Sequence, residues 1–179
     1  YGAYKREFSK EPPYNFQREK SFRFWQKPTL GRPTSIFENK SGSYSIWLEF
    51  QVPLVGVEKK RPDIVVQKGK HDSLFDPAIL DEIAQGTWNF FKHLKQIDLV
   101  VECKEFPFAT WFKDIEEQII PYRKAINPKK MILASKERIP CDIKQRMYNE
   151  KIIALDGAFP DNEEFLDNLK SEISFLEEN

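Results

Sequence analysis

The chain has 179 residues, of which 40% are apolar and 14% aromatic, so one domain with a sizeable core is expected and global disorder is excluded. The net charge is zero, and two cysteines are too few for a four-thiolate metal site or a secreted disulfide framework. Because no apolar run approaches the roughly 20 residues of a membrane span and no signal-peptide pattern opens the chain, we expect a cytoplasmic protein without a membrane partner.

Residues 1–42 are predicted to form an N-terminal arm that is rich in basic and aromatic side chains, and its residues 1–33 are predicted to be irregular. Residues 1–32 contain eight basic and three acidic side chains, whereas residues 161–179 contain seven acidic and one basic, so the two ends cancel in the total charge. Two interpretations of the arm stay open: it packs its aromatic side chains on the main body, or it contacts a nucleic-acid backbone.

Residues 43–179 are predicted to form one α/β domain, in which helices cover a mixed sheet. Apolar residues alternate or run continuously in the predicted strands and recur at helical spacing in the predicted helices. The predicted elements are, in chain order, strands at 43–55 and 60–66, a helix at 76–95, a strand at 97–104, a helix at 110–125, a strand at 130–135, a helix at 140–149, a strand at 151–155 and a closing amphipathic helix at 162–176. The helix at 76–95 is a long insert between the second and third strands.

The strongest predicted strand, IDLVVECK, ends on an acid and an amine. Side chains two positions apart on a strand point the same way, so Glu102 and Lys104 share one face. Asp63 stands at the start of another apolar strand, and burying such charges is costly unless they have a role. If the two strands are neighbours, two carboxylates and one ammonium meet at one place. Asp98 is expected to be exposed, at the start of the third strand.

Only the strand context separates this pattern from chance, because the motifs are short. Glu-x-Lys occurs three times in the chain and Pro-Asp occurs twice. Glu102–Lys104 alone ends a long apolar strand, and Pro62–Asp63 alone begins an apolar strand upstream of it. The other copies lie in polar turns or tails, where surface pairs are expected.

These residues resemble the PD-(D/E)XK nuclease superfamily, which has the restriction-endonuclease-like fold. The resemblance covers roughly residues 43–135 and includes Pro62-Asp63, then Glu102-Cys103-Lys104, in the family's order. Gln118 and Tyr122 are similar to the Gln-x-x-x-Tyr motif of one branch of that superfamily. The fold implied is a mixed sheet core of three strands, a helix and a fourth strand, flanked by helices. The long insert departs from the tight hairpin that often joins the second and third strands.

The resemblance implies a Mg²⁺-dependent deoxyribonuclease, with Mn²⁺ as a possible substitute. Asp63 and Glu102 would bind the metal, and Lys104 would assist the attacking water; the protonation state of this lysine stays open. The backbone carbonyl of Cys103 would be a further ligand, which leaves its thiol buried and inert. Gln118 and Tyr122 would support the site or contact the strand that is cut.

Further residues carry weaker predictions. An additional acidic metal ligand is expected at Glu49, or at Glu38 if a short helix covers residues 34–39. Arg61, Arg123 and Lys124 flank the predicted site elements and could pair with DNA phosphates, or could be ordinary surface charges.

Two alternatives to an active nuclease remain open from the sequence. One is a catalytically inactive nuclease-like fold that binds nucleic acid or protein; the other is a structural α/β domain whose motifs arise by chance. The substrate structure is not predicted, because fold does not fix function. A homodimer is possible and would indicate a pair of cuts.

Overall fold

The computed structural model describes residues 33–39, 42–48, 62–71 and 95–176. Its strands are β1 (Ser35–Asn39), β2 (Gly42–Leu48), β3 (Ile64–Lys68), β4 (Leu99–Lys104), β5 (Lys130–Ser135) and β6 (Ile153–Asp156). Its helices are α1 (Phe108–Trp111), α2 (Ile120–Ile126), α3 (Cys141–Asn149) and α4 (Glu163–Ile173). A π-helical segment (Ile115–Ile119) precedes α2, and a short 3₁₀ turn (Ser174–Leu176) follows α4.

The six described strands form one mixed sheet in the order β1-β2-β3-β4-β5-β6. The pairs from β1 to β4 are antiparallel, whereas β4, β5 and β6 run parallel to one another. Parallel neighbours need a crossover connection, and α2 and α3 provide it between β4, β5 and β6. The predicted α/β class with a mixed sheet and flanking helices is therefore confirmed. The carboxyl ends of β4, β5 and β6 consequently meet at one edge of the sheet.

Both faces of the sheet are covered, so β4 is apolar on each side. On one face Val100 packs in a core with residues of α1, α2 and α3, whereas on the other face Leu99 and Val101 pack with Phe165 of α4. Alternation along a strand then puts Glu102 on the first face and Cys103 on the second. This assignment directs the Glu102 side chain toward the helices that follow β4.

The helix predicted over residues 110–125 is broken into α1, the π-helical segment and α2. Pro121 accounts for this break in the helix, because its ring would clash with the carbonyl of Glu117 in an α-helix and because it has no N–H to donate. One helical turn contains an additional residue instead, so the Ile120 N–H donates to the carbonyl of Ile115, five residues earlier. The wider turn lets the helix continue past the proline.

The strand boundaries correct three predictions. Residues 35–39 form the edge strand β1, so neither the arm nor the short helix considered for residues 34–39 occupies them. The second predicted strand begins at Ile64 and extends to Lys68, later than expected. The helix predicted over residues 76–95, like the arm up to residue 32, lies outside the described residues apart from its last position.

Asp98 is buried rather than exposed, which contradicts the prediction from the sequence. Its Oδ2 accepts from the Lys68 backbone N–H at 2.6 Å, and its Oδ1 pairs with Lys129 Nζ at 2.7 Å. It therefore links the end of β3 to the starts of β4 and β5.

In the part of the chain that the structure describes, no helix combines the length and the apolar character that crossing a membrane requires.

Candidate active site

Asp63 and Glu102 lie opposite each other on adjacent strands. Ile64 pairs with Val101 in the antiparallel register of β3 and β4, and continuing that register by one residue sets Asp63 against Glu102. The Oδ2 atom of Asp63 accepts a hydrogen bond from the Cys103 backbone N–H at 2.7 Å. Two carboxylates that were predicted on separate strands are therefore neighbours at one edge of the sheet.

Glu102 is almost completely buried, with 2% of its surface exposed. Its Oε1 accepts from Lys104 Nζ at 3.1 Å, whereas its Oε2 is buried without a hydrogen-bond partner among the described residues. Desolvation, and then the charge of Asp63, raise the pKa of Glu102 to about 7, although Lys104 lowers it in part. A buried carboxylate oxygen without a partner is costly, so this atom requires a proton, a water molecule or a cation.

Lys104 is held by three acceptors at the end of β4. Its Nζ donates to Asp114 Oδ2 at 2.6 Å and to Glu102 Oε1 at 3.1 Å, and Gln118 Oε1 lies 3.4 Å away. Burial disfavours the charged form, but the hydrogen bond to Asp114 and the charge of Glu102 outweigh it and raise the pKa of Lys104. The raised pKa favours the ammonium form of Lys104 at neutral pH.

The helical segment after β4 contributes a row of three polar side chains. Gln118 Nε2 donates to the Tyr122 hydroxyl at 3.2 Å, so the two motif residues are in contact and reach Lys104 through Gln118. Tyr122 is only 1% exposed, which fits support of Gln118 and leaves its ring without access to a substrate strand. Asp114 was missed from the sequence, although it stands four residues before Gln118, and that spacing could have revealed it.

Cys103 points away from this cluster, onto the opposite face of β4. The residue is exposed, so the prediction of a buried thiol is wrong, because the side chain lies near the end of the strand. Although the residue is exposed, partial desolvation of its thiol and the neighbouring Asp63 carboxylate raise the pKa of the thiol to about 11, which keeps the sulfur neutral and a poor metal ligand. In an extended strand the N–H and C=O of one residue point to the same side, so its carbonyl faces the Asp63 side of β4.

Other predicted site residues are not in this cluster. Arg123 and Lys124 lie at the far end of α2, where Arg123 donates to Asn127 at 3.1 Å and Lys124 is 3.9 Å from Glu150. Glu38 pairs with Lys70, beyond the end of β3 opposite to Asp63. Glu49 and Arg61 fall outside the described residues.

The donor set of the described cluster fits a small hard cation. No group of three or more His, Cys, Asp or Glu side chains that could hold a metal occurs in the described ranges. Mg²⁺ does not require one, since it keeps several waters and is commonly held by one or two carboxylates. Asp63, the partnerless Glu102 Oε2 and the Cys103 carbonyl provide oxygen donors of that kind.

Comparisons with known proteins add no independent assignment. No protein family, no curated protein and no solved structure matches this chain. The cluster of Asp63, Glu102, Lys104, Asp114 and Gln118 is therefore interpreted from its own geometry and charge.

Proposed function

We propose that the chain is a Mg²⁺-dependent nuclease that hydrolyses DNA phosphodiester bonds, with the restriction-endonuclease-like arrangement that its motifs resemble. Asp63 and Glu102 bind the metal, and Mn²⁺ can replace Mg²⁺. Lys104 is the catalytic lysine, and Asp114, Gln118 and Tyr122 position it. The proposal also includes a homodimer as one possible form of the active protein.

The observation that carries this proposal is the buried Glu102 carboxylate. One of its oxygens has no partner among the described residues, a second carboxylate stands opposite it, and an ammonium lies 3.1 Å from its other oxygen. A purely structural ion pair would satisfy both oxygens, because unpaired buried charge is expensive. A divalent cation at the partnerless oxygen would both remove that cost and favour ionisation of Glu102.

Each side chain then has a chemical role. When bound, the metal would polarise a phosphoryl oxygen and lower the pKa of a water molecule, and phosphodiester hydrolysis requires both effects. Lys104, whose pKa is raised by Asp114 and Glu102, offsets as an ammonium the negative charge that develops on the phosphoryl group. Asp114 and Gln118 fix the ammonium in one direction.

The direct test is cleavage of plasmid, single-stranded and branched DNA with Mg²⁺ or Mn²⁺. Wild type should cut at least one of these substrates, and EDTA should abolish cleavage. Glu102→Gln, Asp63→Ala and Lys104→Ala should each reduce the rate by about 100-fold or more, the scale of losing one transition-state contact. Lys170→Ala removes an exposed lysine on α4 and serves as the matched control with unchanged activity.

Two outcomes would overturn the proposal. Wild type that cuts no substrate with either metal refutes the enzyme, and retained DNA binding in that case favours the inactive, nucleic-acid-binding alternative. If wild type cuts but the folded Glu102→Gln and Lys104→Ala variants cut equally well, the active site lies elsewhere. Circular dichroism of each variant separates lost chemistry from lost folding.

A further inference from the structure

An open cavity of about 520 Å³ lies at the sheet edge that also carries the candidate active site. It is formed where the parallel strands β5 and β6 end, and its walls include Lys136, Asp156 and Gly157. The Lys136 backbone N–H donates to the Lys104 carbonyl at 2.8 Å, so the cavity begins one strand away from the catalytic lysine. Ligands of open α/β sheets commonly bind outside the carboxyl ends of the strands.

The side chains that line the cavity have a positive balance. Lys136, Arg138 and Lys144 face two acids, Asp156 and Glu164. Asp156 is already neutralised, because its Oδ1 is 2.7 Å from Lys144 Nζ and its Oδ2 accepts from the Ile139 N–H at 3.2 Å. Desolvation opposes its ionisation, but these hydrogen bonds outweigh that effect and lower the pKa of Asp156. Once Lys144 and Asp156 are counted as a pair, two cations, Lys136 and Arg138, and one acid, Glu164, remain, so the lining has an excess of one positive charge.

Lys136 and Arg138 both line the cavity. Lys136 Nζ lies 5.4 Å from the centre of the Phe159 ring, in a cation–π contact. Arg138 is exposed and has no ion pair among the described residues. The amide side chains of Asn162 and Asn168 also line the cavity, although Asn162 Nδ2 is engaged with the Gly157 carbonyl at 2.8 Å.

We propose that this cavity is a second nucleic-acid subsite, which binds the phosphodiester backbone of the strand next to the phosphate at Glu102 and Lys104. The inference rests on the proposed function, because that function brings a DNA strand to this edge. Strands β4 and β6 are separated by two strand spacings, roughly 10 Å, which two nucleotides of the same nucleic-acid strand can span. Lys136 and Arg138 contact the oxygens of that phosphodiester, and Lys144 offsets the charge of Asp156.

The test is binding without cleavage, measured by fluorescence anisotropy in EDTA with a labelled single-stranded oligonucleotide and the same strand in a duplex. At about 0.1 M salt, Lys136→Ala and Arg138→Ala should each weaken binding about five- to eightfold and reduce the salt slope by roughly 0.7 to 0.9. Lys136→Arg, which keeps the charge, should bind like wild type. Lys170→Ala, the exposed control on α4, should change neither quantity.

The outcomes separate this inference from the proposed function. Binding to both probes that stays within about twofold of wild type in Lys136→Ala and Arg138→Ala overturns the subsite, whether or not the protein cuts DNA. Binding that depends on both residues supports the subsite even if no cleavage is found. Calorimetry with inorganic phosphate identifies a third case: tight binding of phosphate alone, lost in Arg138→Ala, would indicate a site for a free phosphate and overturn the strand assignment.

Discussion

Replacing Glu102 by glutamine should stabilise the metal-free protein at alkaline pH while removing its response to Mg²⁺. The pKa of this carboxyl is about 7 in the folded chain and 4.5 as its ordinary value. A pKa raised on folding gives stability that is present below the unfolded value and is lost as pH rises through the folded value. Wild type should therefore lose stability between about pH 4.5 and pH 7, and the neutral glutamine should not.

The size of this effect follows from the two pKa values. One pKa unit corresponds to about 1.4 kcal/mol, so the full effect is about 3 kcal/mol, of which about 2 to 3 kcal/mol develops between pH 5 and pH 8. In a chain of this length that is a change of roughly 5 to 10 °C in Tm. Glu102→Gln should gain this much over wild type at pH 8 and much less at pH 5.

The assay is urea unfolding followed by tryptophan fluorescence, in EDTA, from pH 5 to pH 8.5. Asp63→Asn should recover part of the stability at pH 8, because the Asp63 charge is the second-largest cause of the raised pKa. Glu105→Gln, which alters an exposed carboxylate next to the same strand, should stay within about 0.5 kcal/mol of wild type. Adding Mg²⁺ at ten times its Kd should stabilise wild type by about 1.4 kcal/mol and leave Glu102→Gln unchanged.

One result would refute this reasoning. If Glu102→Gln is less stable than wild type at pH 8 in EDTA, the carboxylate makes a net favourable ion pair with Lys104 and needs no cation. The partnerless Glu102 oxygen would then have another partner in solution. The argument for a metal site would lose its main support, even if the two carboxylates remained adjacent.

Three further predictions concern the surroundings of the site. Asp114→Asn removes the anion that helps to raise the pKa of Lys104, so the alkaline limb of the pH–rate profile should move to lower pH and kcat should fall about tenfold with little change in KM. Tyr122→Phe deletes a buried hydroxyl that accepts a hydrogen bond and should lower the free energy of unfolding by about 1 kcal/mol in urea titrations, with a smaller effect on cleavage. Gly157→Ala should lower the free energy of unfolding by about 1 to 2 kcal/mol in the same titration, because the residue has φ +75° and an added Cβ would clash with the Asn162 amide. A variant as stable as wild type would contradict this steric argument.

The strands that position the site were predictable because their apolar content leaves few alternatives. The run before Glu102 and Lys104 is buried on both faces, and continuous β-branched runs of that kind indicate an interior strand. The β5 boundaries agree with the predicted residues 130–135 for the same reason. In contrast, β1 has the sequence SIFEN, which is short and half polar, so the pairing with β2 rather than its own composition defines it.

Buried charges were harder to predict than buried apolar residues. Asp98 was expected to be exposed because it begins a strand, yet the adjacent strand end presents the Lys68 backbone N–H, which only the tertiary structure reveals. Asp114 was missed for a related reason. Its partner, Lys104, lies ten residues earlier on β4, and the turn between them includes α1. The four-residue spacing from Asp114 to Gln118 indicates a shared helix face, but it contains no information on the contact of Asp114 with Lys104.

The π-helical segment explains how Asp114 and Gln118 both reach Lys104 while Tyr122 stays in contact with Gln118. Asp114, Gln118 and Tyr122 are spaced by four residues, and two such steps in a regular α-helix would rotate the last residue by about 80° from the first. A π turn contains more residues, so each residue advances less around the axis, and the step from Asp114 to Gln118 passes through that segment. The four-residue step through the π-helical segment therefore rotates the side chain in the direction opposite to the α-helical step from Gln118 to Tyr122, and the two rotations offset each other. Pro121, which would interrupt an ordinary helix, is therefore part of what brings Asp114 and Gln118 to Lys104.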